Sequence, residues 1–589
     1  MPARSRNLAS DPDRRSFLEE LYQGRFRWDL IRPFPQQDPV DRKKGDAAVA
    51  GLGDFFHGRL DPTEVDEQAA FPAQFTDALR AQGYLKLQAD IGLGGHELSC
   101  LNTFRVIEAA ASRCFPAAVL MGIENSLGAG ALLPIMPPGP LADRVARQVR
   151  SSGLSGSADT EPSGAANQGR TTTAVPVEDG AAYVLNGHKV QVVNAPEGEL
   201  FTVTAAVRGE DGETRNRLFV VDADTPGFSR GGSQALMGMK GLPFGWITLN
   251  DVRVPAERLL VEAESEHTSR LTPAISRLVV RGRLYIIAAP SLAVSRLCLD
   301  WMREFVGRRR IDGRDLGEYE EIQRRLADCR ADTYALESVA MWSLLGIDNQ
   351  AEVNLLFEQN SAKNICSLLG WRVVETTMSV LAGEGYETAG SKAARGVTPS
   401  PVERAFRDMR GLRITGGVDF LLDNWTAART ILSYYYPDPD PADDTTAGPV
   451  LAPELCARNA AHLDHVADGI RRFGEICRDL TRRHPDRAAL VARERLMILL
   501  NQIATELLTM ALSLARAASQ SETDPGAQDL ADLYCSAGRL RLADLHHRLS
   551  AHDTGDEPDF ARVADAWLAE EAPAAPLHAV SADVREAGR

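Results

Sequence analysis

The sequence predicts an α+β protein, mostly α. A helical domain, a small antiparallel β-domain and a helical bundle follow one another, and an extra helical block closes the chain. Two changes of periodicity and one linker carry this prediction. From about residue 45 to residue 150, apolar residues recur at three- and four-residue spacings, the mark of helices with one buried face. Between residues 171 and 254 the runs become short, β-branched or alternating, with Gly, Asp, Asn and Pro between them. Helical spacing returns at about residue 269 and lasts to 436. There Pro437-Asp-Pro-Asp-Pro-Ala-Asp-Asp-Thr-Thr-Ala-Gly-Pro449 reads as linker by composition.

Taken in order, residues 1–45 are polar, broken by prolines up to Pro33-Phe-Pro35, and read as a lead segment. Residues 46–150 form the first helical domain, with regular apolar spacing at 101–111 and 116–133; residues 134–148 read as a short loop. Residues 151–262 form the β-domain, with strands expected at 171–176, 182–185, 189–193, 200–207, 217–221, 228–232 and 246–254. Residues 263–436 are long enough for a four-helix bundle. Residues 437–452 are the linker, and 453–589 a helical extension ending in an Ala/Glu/Pro tail that is too poor in apolar residues to pack. Residues 488–517 carry Leu490, Leu496, Leu499, Leu500, Ile503, Leu507, Leu508 and Leu512 on one long helical stretch. A face that wide packs into a bundle. The extension holds Arg but no Lys, and more acids than bases, a poor match for an anionic bilayer.

At 589 residues the chain exceeds one ordinary core. A formal charge of −16 argues against a nucleic-acid partner, which requires a basic face. Eight cysteines without a Cys-x-x-Cys pair suggest neither a disulfide framework nor a zinc site. Cys114, Cys298, Cys329 and Cys366 sit in apolar helical contexts and are expected to be buried and inert. Of the histidines, only His546 and His547 are neighbours, and adjacent residues do not share a helix face, so no metal site is expected. No apolar run approaches the ~18 residues of a spanning helix. The N-terminus mixes Arg4, Arg6, Arg14 and Arg15 with Asp11, Asp13, Glu19 and Glu20 and lacks an apolar core, so a cytoplasmic location is expected.

Five stretches carry the functional reading. They are Thr160-Glu-Pro-Ser-Gly-Ala-Ala-Asn167, Asn186-Gly-His-Lys-Val-Gln-Val-Val-Asn194, Arg309-Arg-Ile-Asp-Gly313, Ser379-Val-Leu-Ala-Gly-Glu-Gly385 and Pro401-Val-Glu-Arg-Ala-Phe-Arg-Asp-Met-Arg-Gly-Leu-Arg-Ile-Thr-Gly-Gly-Val418. In this order and at these distances they resemble the signature stretches of the acyl-CoA dehydrogenases. Ile322-Gln323 with Leu326-Ala-Asp328 matches the helix after the third stretch and fixes the register. Ser16-Phe-Leu-Glu-Glu-Leu-Tyr-Gln-Gly24 and Tyr534-Cys-Ser-Ala-Gly-Arg-Leu-Arg-Leu542 resemble the beginning and the C-terminal extension of the very-long-chain type. The resemblance implies that family's fold with an added helical domain, FAD as cofactor, an acyl thioester on CoA or a carrier protein as ligand, and a homodimer. It assigns Thr160, Asn194, Arg309, Gly383 and Gly385 to the cofactor and Arg277 and Ser276 to the substrate.

The same resemblance exposes what is missing. The family follows its Arg-Asp pair, here Arg407-Asp408, with Arg-Ile-Tyr-Glu-Gly-Thr, whose Glu removes the α-proton of the thioester. Here that Glu is Gly416 and the Thr is Val418. The alternative base position, beside Arg277, is Ser276, a poor base without a His partner. Gln191 replaces the aromatic wall behind the flavin. Val193 replaces a hydroxyl that bonds near its N5, and a methyl group cannot make that bond. Ala166, Asp312 and Ser379 replace three further ligand-facing residues. Glu384 and Asp419 are the nearest candidates for a substitute base, against the plainer readings of a surface acid and a helix cap. Three functions follow from this pattern. One is an altered enzyme holding an acyl thioester and doing other chemistry. A second is a non-catalytic subunit, with weakened or lost FAD, that pairs with an active homologue. The third is a conventional dehydrogenase using another base.

Overall fold

Helical and strand periods in the sequence become helix and strand in the order expected. The computed structural model describes residues 16–167, 169–260, 273–348, 355–436 and 452–569, so most of the 437–452 linker lies outside the described residues. The helices that frame the site and the extension are α1 (Phe17–Tyr22), α2 (Pro39–Phe56), α3 (Cys100–Arg113), α4 (Phe115–Leu127), α5 (Pro273–Arg283), α6 (Ala289–Arg308), α7 (Glu320–Asp348), α8 (Leu356–Leu381), α9 (Val402–Leu412), α10 (Asp419–Tyr435), α11 (Ala457–Arg483), α12 (Glu494–Ser519), α13 (Gly526–Thr554) and α14 (Phe560–Leu568). The strands are β1 (Ser155–Ala158), β2 (Thr173–Val177), β3 (Ala182–Val193), β4 (Leu200–Arg208), β5 (Thr214–Asp222), β6 (Phe228–Gly231) and β7 (Phe244–Pro255).

Several expectations change. Residues 1–45 are not simply a polar lead: every residue of α1 is buried, and α2 crosses the expected boundary at residue 46. The stretch 134–148 is not all loop, because it contains most of the helix Pro140–Ser151. The sheet is not wholly antiparallel. β1 and β2 both run parallel to β4, while β2·β3, β3·β7, β4·β5 and β6·β7 are antiparallel. The two strands expected at 182–185 and 189–193 are one strand, β3, with register shifts near Gly187 and Gln191. At Gly187 a Cβ would lie 2.4 Å from Thr172 Oγ1, so only glycine allows that approach.

In the bundle, α6, α7 and α8 pack on one another, and α8 also packs on α9 and α10. The extension lays α12 against α10 and α7, and α13 against α12 and α7. Its apolar face is buried as expected, from Leu490 to Leu512. It is divided, however, between the short helix Arg487–Val491 and α12 rather than lying on one helix. Three segments, Phe115–Ile135, Arg277–Arg308 and Glu494–Ser519, are long and apolar enough to cross a membrane, contrary to the expectation that none is. Their apolar windows are 67%, 83% and 78% buried inside the protein, where they form core. Cys114, Cys298, Cys329 and Cys366 are buried, and burial pushes each thiol up.

Candidate functional site

Several of the matching motif residues bind the protein itself. Thr160 accepts the Val190 amide at its carbonyl, at 2.9 Å. The next residue, Glu161, is buried against fully buried Lys189, with Nζ 2.9 Å from Oε1. Glu161 also accepts the Thr171 and Thr172 amides and the Thr171 hydroxyl. Burial alone would raise this carboxyl. The bonds from Lys189, Thr171 and Thr172 outweigh it and hold the group well below the usual carboxylate range. The Thr-Glu-Pro and Asn-Gly-x-Lys motifs are therefore two halves of one buried ion pair that fixes the 159–172 loop to β3.

Asn194 closes a second cluster at the end of β3. It is fully buried, and its amide donates to Glu124 Oε1 at 2.9 Å and the Ser155 carbonyl at 2.8 Å. Glu124 also takes the Ser155 amide and hydroxyl. Burial raises this carboxyl to about 7 despite those bonds. Of the residues expected to touch cofactor, Asn194 thus spends both amide donor bonds on protein. The Arg-Asp pair acts similarly. Arg407 pairs with Asp66 at 2.6 Å and Glu403 at 3.1 Å, while buried Asp408 accepts the Met239 amide at 2.5 Å. The pair ties α9 to the helix Pro62–Gln68 and to the loop before β7.

Around Gly416 the local charge is opposite to that of a base. The residue is exposed and has φ +71°, a left-handed backbone that favours glycine. A Cβ built there would meet Ile287 Cδ1 at 3.2 Å, Arg283 Cγ at 3.5 Å and Arg283 Nε at 3.7 Å. Arg283 ends α5, just before the π-helical turn Leu284–Ala288. Its Nε donates to the Gly416 carbonyl at 2.9 Å, and Nη1 donates to Asn360 Oδ1 on α8. Burial lowers its pKa to about 10. One turn along α8, fully buried Lys363 donates to the Gly417 carbonyl at 2.6 Å and the Arg413 carbonyl at 3.1 Å, and burial lowers its pKa to about 8. The loop expected to hold a carboxylate is pinned by two cations instead.

Neither expected substitute acid is free for proton transfer. Asp419 is the first residue of α10 rather than its cap, which is Val418. Its carboxylate is engaged by Arg413, 3.0 Å from Nε and 2.5 Å from Nη2. Glu384 is paired with Arg308. It is also remote: Lys363 touches the Gly417 end of α8, whereas Gly385 packs on Met378. Fifteen residues of helix separate those contacts, about 22 Å. Arg277 lies on α5; the Ser276 side chain is outside the described residues.

The positions assigned to FAD divide in two. On the ring side, Gln191 is exposed at a β-bulge with φ +55°, Val193 packs into the main helical core, and Ala166 is exposed. These side chains offer no hydroxyl where the resemblance places one, so the ring side does not match the expected donor set. The diphosphate side fits better. Arg309 is exposed and makes no ion pair with a described residue, whereas Arg308 and Arg310 are paired with Glu384 and Asp315. Space is open beside Gly383. Gly385 is needed by its own chain, since a Cβ there would lie 2.5 Å from the Met378 carbonyl. A separate cleft of about 610 Å³, lined by Asp61, Arg113, Trp301 and Arg404, includes neither Gly416 nor Val193.

A helical domain, a β-domain and a bundle, with motif positions at the end of β3 and on the α9–α10 loop, define a protein of acyl-CoA dehydrogenase architecture. Family models for the acyl-CoA dehydrogenase N-terminal, middle and C-terminal domains match residues 46–135, 156–252 and 274–429, and the chain belongs to this family. It is 26% identical over 579 residues to a probable acyl-CoA dehydrogenase, FadE10, of Mycobacterium tuberculosis, covering 91% of this chain and 86% of that one. It is 23% identical over 429 residues to the human mitochondrial very long-chain specific acyl-CoA dehydrogenase, covering 71% and 63%. The solved structure of a Bacillus anthracis acyl-CoA dehydrogenase complexed with FAD aligns with TM-score 0.66 at 18% identity, over 92% of this chain and 93% of that one.

Arg283 and Lys363 were not singled out from the sequence. Lys363 stood out little, because it lies among Glu358, Gln359, Asn360, Ser361 and Asn364 on a helix that also holds Arg372.

Proposed function

We propose that this protein binds an acyl thioester, on CoA or a carrier protein, and does not oxidise it by the family's route of α-proton removal with β-hydride transfer. The carrying observation is that Arg283, not a carboxylate, stands against residue 416. Removing a positioned base costs roughly 100- to 10,000-fold in rate, and a guanidinium at that point cannot accept a proton. FAD is held more weakly than in a conventional member, since Val193 and Ala166 withhold hydroxyl bonds and a buried flavin polar atom left without one costs about 1–3 kcal/mol.

A second reading has its own observation. Arg309, exposed and with no ion pair among the described residues, lies at the end of the bundle that also exposes Tyr386 (83%) and Ile311 (42%). Large apolar groups beside a free cation suit a subunit interface. We propose that this end meets a second subunit, either a copy of this chain or an active homologue whose diphosphate cofactor Arg309 would contact.

The test is spectroscopic. The purified chain is loaded with FAD and mixed anaerobically with saturated acyl-CoAs. Binding without bleaching of the flavin band is expected. Fast bleaching without added reductant would overturn the first reading, and a protein that takes up no FAD but binds thioester would favour the second.

A further inference from the structure

We propose, on the thioester reading given above, that the acyl group received beside Gly416 carries its own carboxylate, and that Arg283 is the group that binds it. Among the described residues no carboxylate lies within ion-pairing distance of Arg283. Several arginines around the bundle do meet an acid: Arg413 has Asp419, Arg372 has Asp332 and Arg541 has Glu506, whereas half-buried Arg281, Arg404 and Arg410, like Arg283, make no ion pair with a described residue. A guanidinium drawn out of water without a counter-charge is costly, which is why buried cations in proteins are paired. The countercharge missing from the protein is supplied by the ligand.

The geometry fits a carboxylate. Nε and Nη1 are held by the Gly416 carbonyl and Asn360, which fixes the plane of the fork. Nη2 donates to no described residue and is left for a ligand. A bond from Nη2 to a carboxylate is charge-assisted, about twice as strong as a neutral one. Gly416 is exposed and its carbonyl is held by Arg283, so a ligand can approach this face of the loop from solvent. Nearby charges do not compete. Asp419 is taken by Arg413, and the Lys363 ammonium is spent on two carbonyls while adding positive potential. A site built around an unanswered charge also rejects a neutral isostere, because that ligand would leave the charge unpaired.

The test is isothermal titration of the full-length chain with matched thioesters. Malonyl-, succinyl- and glutaryl-CoA are compared with propionyl-, butyryl- and pentanoyl-CoA, and CoA alone reports anion binding through its own phosphates. We expect at least one carboxylated ligand to bind about tenfold or more tighter than its neutral partner, a gap of about 1.4 kcal/mol. Arg283→Gln should reduce that ratio to within about twofold, and Arg283→Lys should keep part of it. Equal or stronger binding of the neutral ligand in every pair overturns the proposal while leaving the thioester reading intact, as does a preference that survives in Arg283→Gln. If no thioester binds better than CoA alone, the thioester reading itself fails and this proposal fails with it. Should Arg283→Gln not fold, the ratio in the unaltered chain and in Arg283→Lys still decides.

Discussion

Lys189 and Arg283 are both cations drawn into the protein, and they are treated in opposite ways. Lys189 is fully buried and meets a carboxylate, a carbonyl and a loop folded around both. Arg283 meets a carbonyl and an amide oxygen and, among the described residues, no acid. The contrast separates the motif positions by what they bind. Five retained motif residues, Glu161, Lys189, Asn194, Arg407 and Asp408, bind other residues of this chain, while retained Arg309 and Gly383 stay open. Where the motif has changed, at Ala166, Gln191, Val193, Gly416 and Val418, the family residue would have faced cofactor or substrate.

The largest effect should come from breaking the scaffold. Lys189→Met strands the Glu161 carboxylate in the interior. We expect a loss of about 3–5 kcal/mol in denaturant unfolding of the β-domain, the range for one partner removed from a buried pair. Recovery in a double variant that also carries Glu161→Met would confirm the pair as its cause. If Lys189→Met costs no more than a surface change, the contrast with Arg283 fails.

The next effect is on pH dependence. Burial raises Glu358 to about 8, Glu124 and Asp408 to about 7, and Asp423 to about 6. Each folded value lies above the unfolded one, so between the two the folded protein binds more protons. The stability these groups contribute is present at low pH and is lost as pH rises through the folded values. Thermal stability should therefore fall from about pH 4, near the unfolded values, to about pH 8, the highest folded one. Glu358→Gln should remove part of that slope and raise stability at pH 8 by roughly 2 kcal/mol, since it replaces a buried charge whose Oε2 has no partner. An unchanged slope would contradict this.

A smaller effect is expected at the altered site. Gly416→Glu forces a side chain into a left-handed backbone, at a cost of about 1–2 kcal/mol. It should not restore a base, because Arg283 beside it would hold the new carboxylate ionised and paired. Only when combined with Arg283→Val should flavin bleaching by butyryl-CoA appear. Bleaching by Gly416→Glu alone would show that Arg283 is not what closes this route. Smallest of all, Arg283→Met should change unfolding stability by less than about 1 kcal/mol in either direction, because the cation has no acid to strand. A loss as large as that of Lys189→Met would end the comparison.

The fold was legible because the apolar period switches twice, and each switch marks a domain. What the period could not report was β1. Ser155-Gly-Ser-Ala158 is too short and too small to alternate visibly, and it is placed by pairing with β4 and by Glu124 binding Ser155. α1 was hidden for another reason: six residues form less than two turns, and their burial comes from distant α8, α11 and α12 rather than from local spacing. In the site, the absence at Gly416 was readable directly. The occupant was not, because Arg283 lies 133 positions away and tertiary packing brings the end of α5 to the Gly416 loop.

The proposal that no base works beside Gly416 can be tested without any flavin. A saturated acyl-CoA is held with the full-length chain in deuterated water, at concentrations where titration shows it bound, and α-deuterium is followed by mass spectrometry. We expect incorporation no faster than in buffer alone, since no described carboxylate is free beside Gly416. Enzyme-dependent exchange at the α-carbon would mean that a base is at work there, and would contradict a site in which Arg283 has taken its place.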